Sequence, residues 1–497
     1  MSVVPSPADG PADGPVDRPI DDAPAQRIDD APAHSGRRMA EDATTAFAVQ
    51  ILGYVTGLVA SVLIARALGA VDRGIYAVAV TAASIAVVAF HAGIELASNY
   101  FFAERGTPLA ALSRNGFLGA AILGPLGMVA MLVFFAIAHA SVLDGLSLVL
   151  YLCAVATVPL QMHQLWLANM LMVAGRFRAY QRVSAVIAVL QLLAVCVLYA
   201  ASSLDLATTL VLYLGVAVVA WALSLRASRP VGPIGPPYDL QLFRATLRYG
   251  LRLHGGYIGW FVLLRLDLFL VAWWLGPREA GVYAIAVLFA ELSWQLTSPL
   301  VLAATRPQMA LPSGEAAQVS FQVVRANLLL ASVMAVAFVA TLWFALPLLY
   351  GDEFDGAYAA TVVLLPGVVA MAAFRPLYNW LVRVAGPLRL SAMCLLAAAV
   401  NVGINALLLR SLGIVGASLA SSVSYALLTL AAASWAARAS GSPLRTVVPG
   451  IADVRTIARN LGLMARSLRA RIAARRAGSG EGEPPAREGD PPAPDMG

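Results

Sequence analysis

Long apolar runs separated by short polar breaks dominate the chain. Each run has about the 20 residues that a helix needs to cross the hydrocarbon core of a bilayer. The pattern predicts twelve such spans, at 44–66, 75–98, 116–138, 146–170, 181–201, 207–226, 247–274, 281–304, 326–349, 357–383, 388–409 and 414–437. The predicted fold class is therefore an all-α polytopic membrane protein.

The same pattern contains an internal repeat. Residues 68–80, LGAVDRGIYAVAV, return at 275–287 as LGPREAGVYAIAV, with identical glycines, tyrosine and alanines at matching positions. Such self-similarity indicates that the chain was built by doubling. Because an even number of predicted spans separates the copies, both halves enter the membrane in the same direction. We expect two parallel six-helix lobes around a central cavity, related by an axis along the membrane normal.

Polar stretches divide the chain further. An acidic, Pro-rich tail and a polar C-terminal tail cannot bury enough apolar surface to fold, so both are predicted to be disordered. The predicted organisation is a disordered tail at 1–40, a first lobe at 41–226, a Pro/Gly-rich linker at 227–241, a second lobe at 242–438, a basic amphipathic cytoplasmic segment at 439–476 and a disordered tail at 477–497.

Composition supports a membrane location. Apolar side chains make up 60% of the chain, charged ones 12%, and the mean hydropathy is +0.76, whereas about a quarter of residues are charged in soluble domains. Every basic residue is Arg. A GC-rich genome explains this better than phosphate binding does, so the position of each Arg is more informative. Arginines concentrate in the breaks after even-numbered spans, which predicts that both termini lie in the cytoplasm; with the family resemblance given below, the expected location is the bacterial plasma (inner) membrane.

The basic segment after the last span has apolar residues at every third or fourth position over 451–476. This spacing is typical of an amphipathic helix that lies on a membrane surface. Anionic lipids of the inner leaflet would attract its arginines. The alternative is a solvated basic helix without a partner.

Three charged residues fall well inside predicted spans. A charge near the bilayer centre costs about 2.5–3.5 kcal/mol, so each needs a partner or a water-filled cavity. Arg265 and Asp267 of the seventh span are two positions apart and point about 200° away from each other, so they cannot pair. Arg375 precedes the helix-kinking Pro376 in the tenth span. It is either a substrate-binding cation or the partner of an acidic residue elsewhere.

Further polar residues are candidates for the same cavity. Arg306, after the eighth span, is a third candidate substrate-binding cation. His91 with Glu95, and Glu291 with Gln295, lie one helical turn apart and can share a face. A protonatable pair of this kind could couple transport to proton movement. A satisfied polar contact between helices explains these pairs equally well.

The motifs of enzymes and metal proteins are missing from the sequence. It contains no P-loop, zinc motif or nucleophile elbow, and no break between spans is long enough for a catalytic domain. Cys153, Cys196 and Cys394 lie in apolar runs without a disulfide or metal-binding pattern. We therefore expect no catalysis, no cofactor or metal, and no nucleic-acid partner.

Three stretches resemble a known family. They are LIARALGAVDRGIYAVAV at 63–80, YGDEFDGAYAATVVLLPG at 350–367 and the segment at 384–427 with Asn401, Asn405, Gly413 and Gly416. They are similar to bacterial polysaccharide-biosynthesis flippases, a branch of the multidrug/oligosaccharidyl-lipid/polysaccharide exporter superfamily that moves lipid-linked oligosaccharides. The resemblance covers about residues 44–438 and leaves both tails unexplained.

The resemblance implies a twelve-helix transporter with a cationic cavity. This cavity would receive the pyrophosphate and sugars of an undecaprenyl-linked intermediate, while the lipid tail passes through a lateral opening. Assigning Arg265 and Arg375 to the cavity is our inference from their positions. Candidate protein partners are a polysaccharide polymerase or glycosyltransferases.

Three alternatives to this interpretation make different predictions. A drug or metabolite exporter of the same superfamily would have a more acidic cavity. A membrane polymerase or sugar transferase would need a long outer loop. A scaffold without transport would leave the charges inside the spans unexplained.

Overall fold

The computed structural model describes residues 34–456 and residue 459. Most of the predicted tails, and most of the predicted amphipathic helix at 451–476, lie outside these residues. The described chain is helical, in the order α1 (His34–Phe90), α2 (Ile94–Ala103), α3 (Leu109–Ala138), α4 (Leu148–Val173), α5 (Phe177–Ala200), α6 (Leu206–Ser228), α7 (Leu240–Leu275), α8 (Pro277–Gln295), α9 (Ser298–Ala310), α10 (Ser313–Tyr350), α11 (Gly356–Ala385) and α12 (Pro387–Ser440). Short 3-10 helices lie at Asp352–Phe354 and Leu444–Val447.

The twelve predicted spans correspond to these helices. Nine stretches of the described chain are long and apolar enough to cross a membrane. Two of them hold two spans each, because non-helical backbone at Gly69 divides α1 and at Gly413 divides α12. Helices α8 and α9 together form span 8, which completes the twelve. The predicted all-α, two-lobed membrane fold is confirmed.

Two spans are interrupted where the sequence predicted continuous helices. Span 2 stops at Phe90 and continues as α2 after Ala92 and Gly93, which have φ angles of 55° and 64°. Span 8 is interrupted between α8 and α9, before Pro299. A proline in the first turn of a helix has no N–H to lose there, so it favours a new helix start over continuation. The prediction of one uninterrupted helix over 75–98, and of another over 281–304, was therefore wrong.

Each lobe forms by packing among its own spans. In the first lobe α4 packs on α3 and α6, and α1 packs on α5; in the second, α11 packs on α10 and α12, and α12 on α7. The largest cluster of buried apolar side chains extends across both lobes. It includes Val78 and Tyr151 of the first lobe and Tyr283 and Phe354 of the second. The lobes are therefore joined through a shared core.

This shared core includes Ala70 and Ala280, at the side of the molecule where both repeat copies turn. We call this side the repeat end, because the two repeat copies turn there, at 68–74 and 275–281. The opposite side, where α1 begins and α12 ends, is the terminal end. Every span connects these two ends, so the position of a residue along a span gives its depth.

The chain after α12 is attached to the second lobe at the terminal end. The guanidinium group of Arg325 donates hydrogen bonds to Asp453 (2.8 Å) and to the carbonyl oxygen of Thr446 (2.8 Å). The backbone N–H of Gly450 donates to the same carboxylate. The hydrogen bond from Gly450 makes the largest contribution to lowering the pKa of Asp453, and the contact with Arg325 lowers it further. The segment at 444–456 is thus held against the base of span 9.

Candidate functional site

At the repeat end, the two copies of the repeat pack backbone to backbone. A Cβ atom on Gly74 would lie 1.8 Å from the carbonyl oxygen of Pro277, and one on Gly281 would lie 2.0 Å from that of Ala70. Only glycine, which lacks this atom, permits such an approach. The identical glycines of the repeat therefore have a structural reason: they close the two lobes against each other.

Further contacts reinforce this closure. The backbone N–H of Ala70, just after the break in α1, donates to the carboxylate of Glu353 at 2.9 Å. The Arg66 guanidinium donates through Nε to the carbonyl oxygen of Leu349 at 2.7 Å. Both contacts connect the first lobe to the turn between spans 9 and 10. The repeat end is thus sealed by backbone packing and by hydrogen bonds.

At the terminal end, spans 2 and 7 also meet closely. A Cβ atom on Gly250 would lie 2.5 Å from the carbonyl oxygen of Ala92. The Nε2 atom of His254 lies 2.6 Å from the carbonyl oxygen of Val88. This explains why span 2 is interrupted there: the break exposes backbone groups that span 7 contacts. We call the line along which a span of one lobe meets a span of the other a seam. The seam between spans 2 and 7 is closed at the terminal end.

His91 and Glu95, predicted to share a face, lie at this seam. The Nε2 atom of His91 is 3.4 Å from a carboxylate oxygen of Glu95, and its Nδ1 accepts the backbone N–H of Gly93 at 3.0 Å. The acceptor role of Nδ1 places the ring proton on Nε2, which faces the carboxylate. The ring of His254 lies 4.4 Å away between centroids. The pair belongs to the contact between lobes.

The opposite seam, between spans 1 and 8, is open toward the terminal end. The Tyr54 hydroxyl donates to the backbone carbonyl oxygen of Gln295 at 3.3 Å. Beyond this contact α9 packs on α10 and α11 of its own lobe. A cavity of about 380 Å³ begins there, with Gln50 of span 1 and Leu302 of span 8 in its wall. Leu302 in this wall is 61% exposed.

Arg375 lies in the wall of this space, which we call the Arg375 cavity. Its Nη1 donates to the Ser298 hydroxyl at 2.7 Å, and the guanidinium lies 4.7 Å from the ring centroid of Trp294. Tyr257 and Tyr378 also line the cavity. Arg375 has no acidic partner among the residues that the structure describes. Its charge is balanced only by a hydroxyl and an aromatic face.

Arg265 lines a second cavity, of about 340 Å³, nearer the repeat end; we call it the Arg265 cavity. Its guanidinium forms a bidentate pair with Glu291, with distances of 2.7 and 3.0 Å. Gln295 reaches the same carboxylate at 3.5 Å. The sequence placed Glu291 and Gln295 together but did not predict Arg265 as their partner. The charges of Arg265 and Glu291 therefore largely cancel. The side chain of Arg265 is 28% exposed.

Asp267 has other hydrogen-bond partners than Arg265, although both residues line the Arg265 cavity. It is buried and accepts hydrogen bonds from the Tyr283 hydroxyl (2.6 Å) and the Ser421 hydroxyl (2.8 Å). The amide of Asn401 donates in turn to Ser421, and that of Asn405 to Asn401. Asp267 therefore connects spans 7, 8, 11 and 12 inside the second lobe.

One predicted site residue lies outside this description. Arg306 belongs to α9, but its side chain is not among those that the structure describes. The other predicted residues fall into three places: Arg375 in its cavity, Arg265 with Glu291 and Gln295, and His91 with Glu95 at the closed seam. Asp267 lies next to the group of Arg265, Glu291 and Gln295.

Arg73 is a cavity residue that the sequence did not identify. In the sequence it lies in the short break between the first two predicted spans, yet in the structure it lines the Arg265 cavity. Its guanidinium lies 5.6 Å from the Tyr76 ring, and its buried Nε has no hydrogen-bond partner. One signal was present. The second repeat copy has Ala280 at the matching position, so this cation is specific to one lobe.

Comparison with solved structures identifies the fold. An inward-facing multidrug resistance MATE family transporter of the MOP superfamily matches with a TM-score of 0.61 at 12% identity, over 80% of this chain and 98% of that one. An outward-facing MATE structure matches with a TM-score of 0.50 at 12% identity, over 80% and 96%. The lipid II flippase MurJ, in an inward closed conformation, matches with 0.60 at 11% identity, over 82% and 89%.

Comparison of the sequence identifies the family. No curated protein sequence matches the chain. The profile of the polysaccharide biosynthesis protein family matches residues 39–311, which is more than half of the chain. Together with the two-lobed membrane fold, this match shows that the chain is a multi-pass membrane protein that belongs to the polysaccharide biosynthesis protein family.

Proposed function

We propose that this protein is a flippase that moves a lipid-linked oligosaccharide, of the undecaprenyl pyrophosphate type, from the cytoplasmic to the outer face of the membrane during surface polysaccharide biosynthesis. The observation that carries the proposal is Arg375: a cation without an acidic partner in the described chain, in the wall of a cavity between the lobes. A half-buried charge of this kind is costly without a counter-charge. An anionic head group would supply one.

The chemistry of the cavity suits a phosphate better than a cationic drug. A guanidinium group makes bidentate, charge-assisted hydrogen bonds to phosphate oxygens. The described lining residues of the Arg375 cavity include this arginine and no acidic side chain. An exporter of cationic compounds would be expected to have the opposite charge there. The flippase is therefore favoured over the drug-exporter alternative.

The open seam gives a lipid-linked substrate a path. A sugar pyrophosphate cannot enter hydrocarbon without losing its hydrogen bonds to water, whereas its polyprenyl tail is best left in the bilayer. The wall of the Arg375 cavity includes Gln50 of span 1 and the exposed Leu302 of span 8, whereas the seam between spans 2 and 7 is closed. We propose that the head group occupies the cavity while the tail extends through the open seam.

The closed repeat end supports alternating access. We propose that the head group passes from Arg375 to the Arg265 cavity, where Arg73 provides a second cation without an acidic partner among the described residues, below the contact between the repeat copies. Rocking of one lobe against the other would then open the repeat end. The higher similarity to the inward-facing than to the outward-facing MATE structure supports an inward-facing state. This agrees with a cytoplasmic terminal end, as the arginine distribution predicts.

Deletion of the gene in its host tests the proposal. We expect undecaprenyl-linked glycan to accumulate on the cytoplasmic face and surface polysaccharide to be lost. A plasmid with the wild-type gene or with Arg410→Gln should restore export, because Arg410 is an exposed cation at the repeat end. Arg375→Gln should not. Normal surface polysaccharide in the deletion strain, without trapped intermediate, would contradict the proposed function.

A further inference from the structure

A third cavity, of about 200 Å³, lies inside the first lobe, between spans 1, 2, 4, 5 and 6. We call it the Gln191 cavity. Its polar lining consists of Tyr76, Gln161, Gln164, Gln191, Thr209 and Tyr213. None of the described residues that line it is acidic or basic. The cavity is therefore uncharged, unlike the two cavities between the lobes, and the rest of its lining is apolar.

Part of this polar lining has no partner in the protein. The amide of Gln161 donates to the Tyr213 hydroxyl at 2.7 Å. The amides of Gln164 and Gln191 have no hydrogen-bond partner among the described residues, although both lie well inside their spans. A polar group that is removed from water without a partner costs free energy, and lipid offers none. Two amides that line one cavity, without a partner in the described chain, are suited to a ligand with several hydroxyl groups.

The Gln191 cavity adjoins the Arg265 cavity. The side chain of Tyr76 belongs to the wall of both. Its ring packs edge to face against Tyr213 on one side, with centroids 6.4 Å apart, and lies 5.6 Å from the guanidinium of Arg73. A ligand that places an anionic group near Arg73 can therefore place a neighbouring uncharged group beside Tyr76.

We propose that the Gln191 cavity recognises an uncharged, hydroxyl-rich sugar, the one attached directly to the pyrophosphate. This inference rests on the proposed function and adds the class of sugar. Amide and phenol groups both donate and accept hydrogen bonds, so they match sugar hydroxyls. A sugar carboxylate would be buried there without a counter-charge, which is unfavourable. The first lobe thus selects the sugar, while the arginines between the lobes hold the phosphates.

The test measures the affinity of the purified full-length protein for three probes. These are undecaprenyl pyrophosphate without sugar, with one glucose and with one glucuronate. We expect the wild type to bind the glucose probe most tightly. Gln164→Leu and Gln191→Leu should each reduce the preference for glucose over the bare lipid by about three- to tenfold, with unchanged affinity for the bare lipid. Gln241→Leu, the same change at an exposed position, is the matched control.

The outcomes separate this inference from the proposed function. If the three probes bind with equal affinity, or if both leucine variants keep the wild-type preference, the sugar site is wrong and the flippase proposal stands. Tight binding of the glucuronate probe would also overturn it. If the wild type binds none of the three lipids, the proposed function fails, and the sugar site fails with it.

Discussion

The contact between the repeat copies makes a sharp prediction about the conformational equilibrium. In Gly281→Ala the new methyl group would lie 2.0 Å from the carbonyl oxygen of Ala70. Real Cβ atoms essentially never come closer than 3.0 Å to such an atom, so the two backbones must separate by about 1 Å. The neighbouring atom belongs to the backbone of a helix and cannot rotate away. The closed repeat end is therefore destabilised relative to the open one.

The size of the effect follows from the cost of overpacking. Inserting a methyl group into a close-packed contact costs about 1–3 kcal/mol, and every 1.4 kcal/mol changes an equilibrium constant tenfold. We expect the ratio of open to closed repeat ends to rise by about 5- to 150-fold. Loading of the cargo from the terminal end should fall accordingly, because loading requires the repeat end to be closed.

Spin labels at Val71 and Arg278, one exposed position in each lobe, would measure this change as a distance distribution in a cysteine-free background. The matched control is Gly57→Ala, because a Cβ atom there meets nothing within 4 Å. We expect a new population at longer distance in Gly281→Ala alone. Identical distributions for the two alanine variants would refute the idea that the repeat glycines hold the lobes together.

Three further predictions concern charged residues. Arg375→Gln should lower the affinity for inorganic pyrophosphate about 10- to 100-fold in calorimetry, since charge-assisted hydrogen bonds are lost, and an unchanged affinity would make this arginine structural. Glu291→Gln should lower stability by about 1–3 kcal/mol in thermal melting, because Arg265 loses its counter-charge; this is less than the full cost of a broken buried pair, since Arg265 partly faces the cavity. Asp453 has a lowered pKa, so its bond to Arg325 should persist at neutral and mildly acidic pH and be lost as the pH falls through that lowered value. Amide exchange of the attached segment should rise in that acidic range, and in an Asp-to-Asn variant already at neutral pH; equal exchange at all pH values would contradict this.

The sequence predicted the architecture because its signals are local. Twelve apolar runs of bilayer length and two copies of one motif are properties of neighbouring residues, and they determine span number and lobe symmetry. The same helical geometry predicted that Arg265 and Asp267 would not satisfy each other, and in the structure they bind different partners. Spacing of one turn also placed His91 beside Glu95.

Contacts between lobes could not be predicted in the same way. Arg265 pairs with Glu291 because the packing of span 7 against span 8 brings these two residues to the same level. The pattern of neighbouring residues in the sequence does not specify that level. The interruption of span 2 depends on the approach of Gly250 from the other lobe. Arg73 lies in a break between apolar runs in the sequence and in the wall of a cavity in the structure.

Translocation in proteoliposomes tests the central claim most directly. The purified protein would be reconstituted with an undecaprenyl pyrophosphate-linked oligosaccharide, and arrival of the glycan on the far side would be detected with a membrane-impermeant lectin. We predict transfer by the wild type and by Arg410→Gln, and at least tenfold slower transfer by Arg375→Gln. Transfer no faster than in protein-free liposomes, or equal rates for Arg375→Gln and the wild type, would contradict a cationic cavity that carries the head group across the membrane.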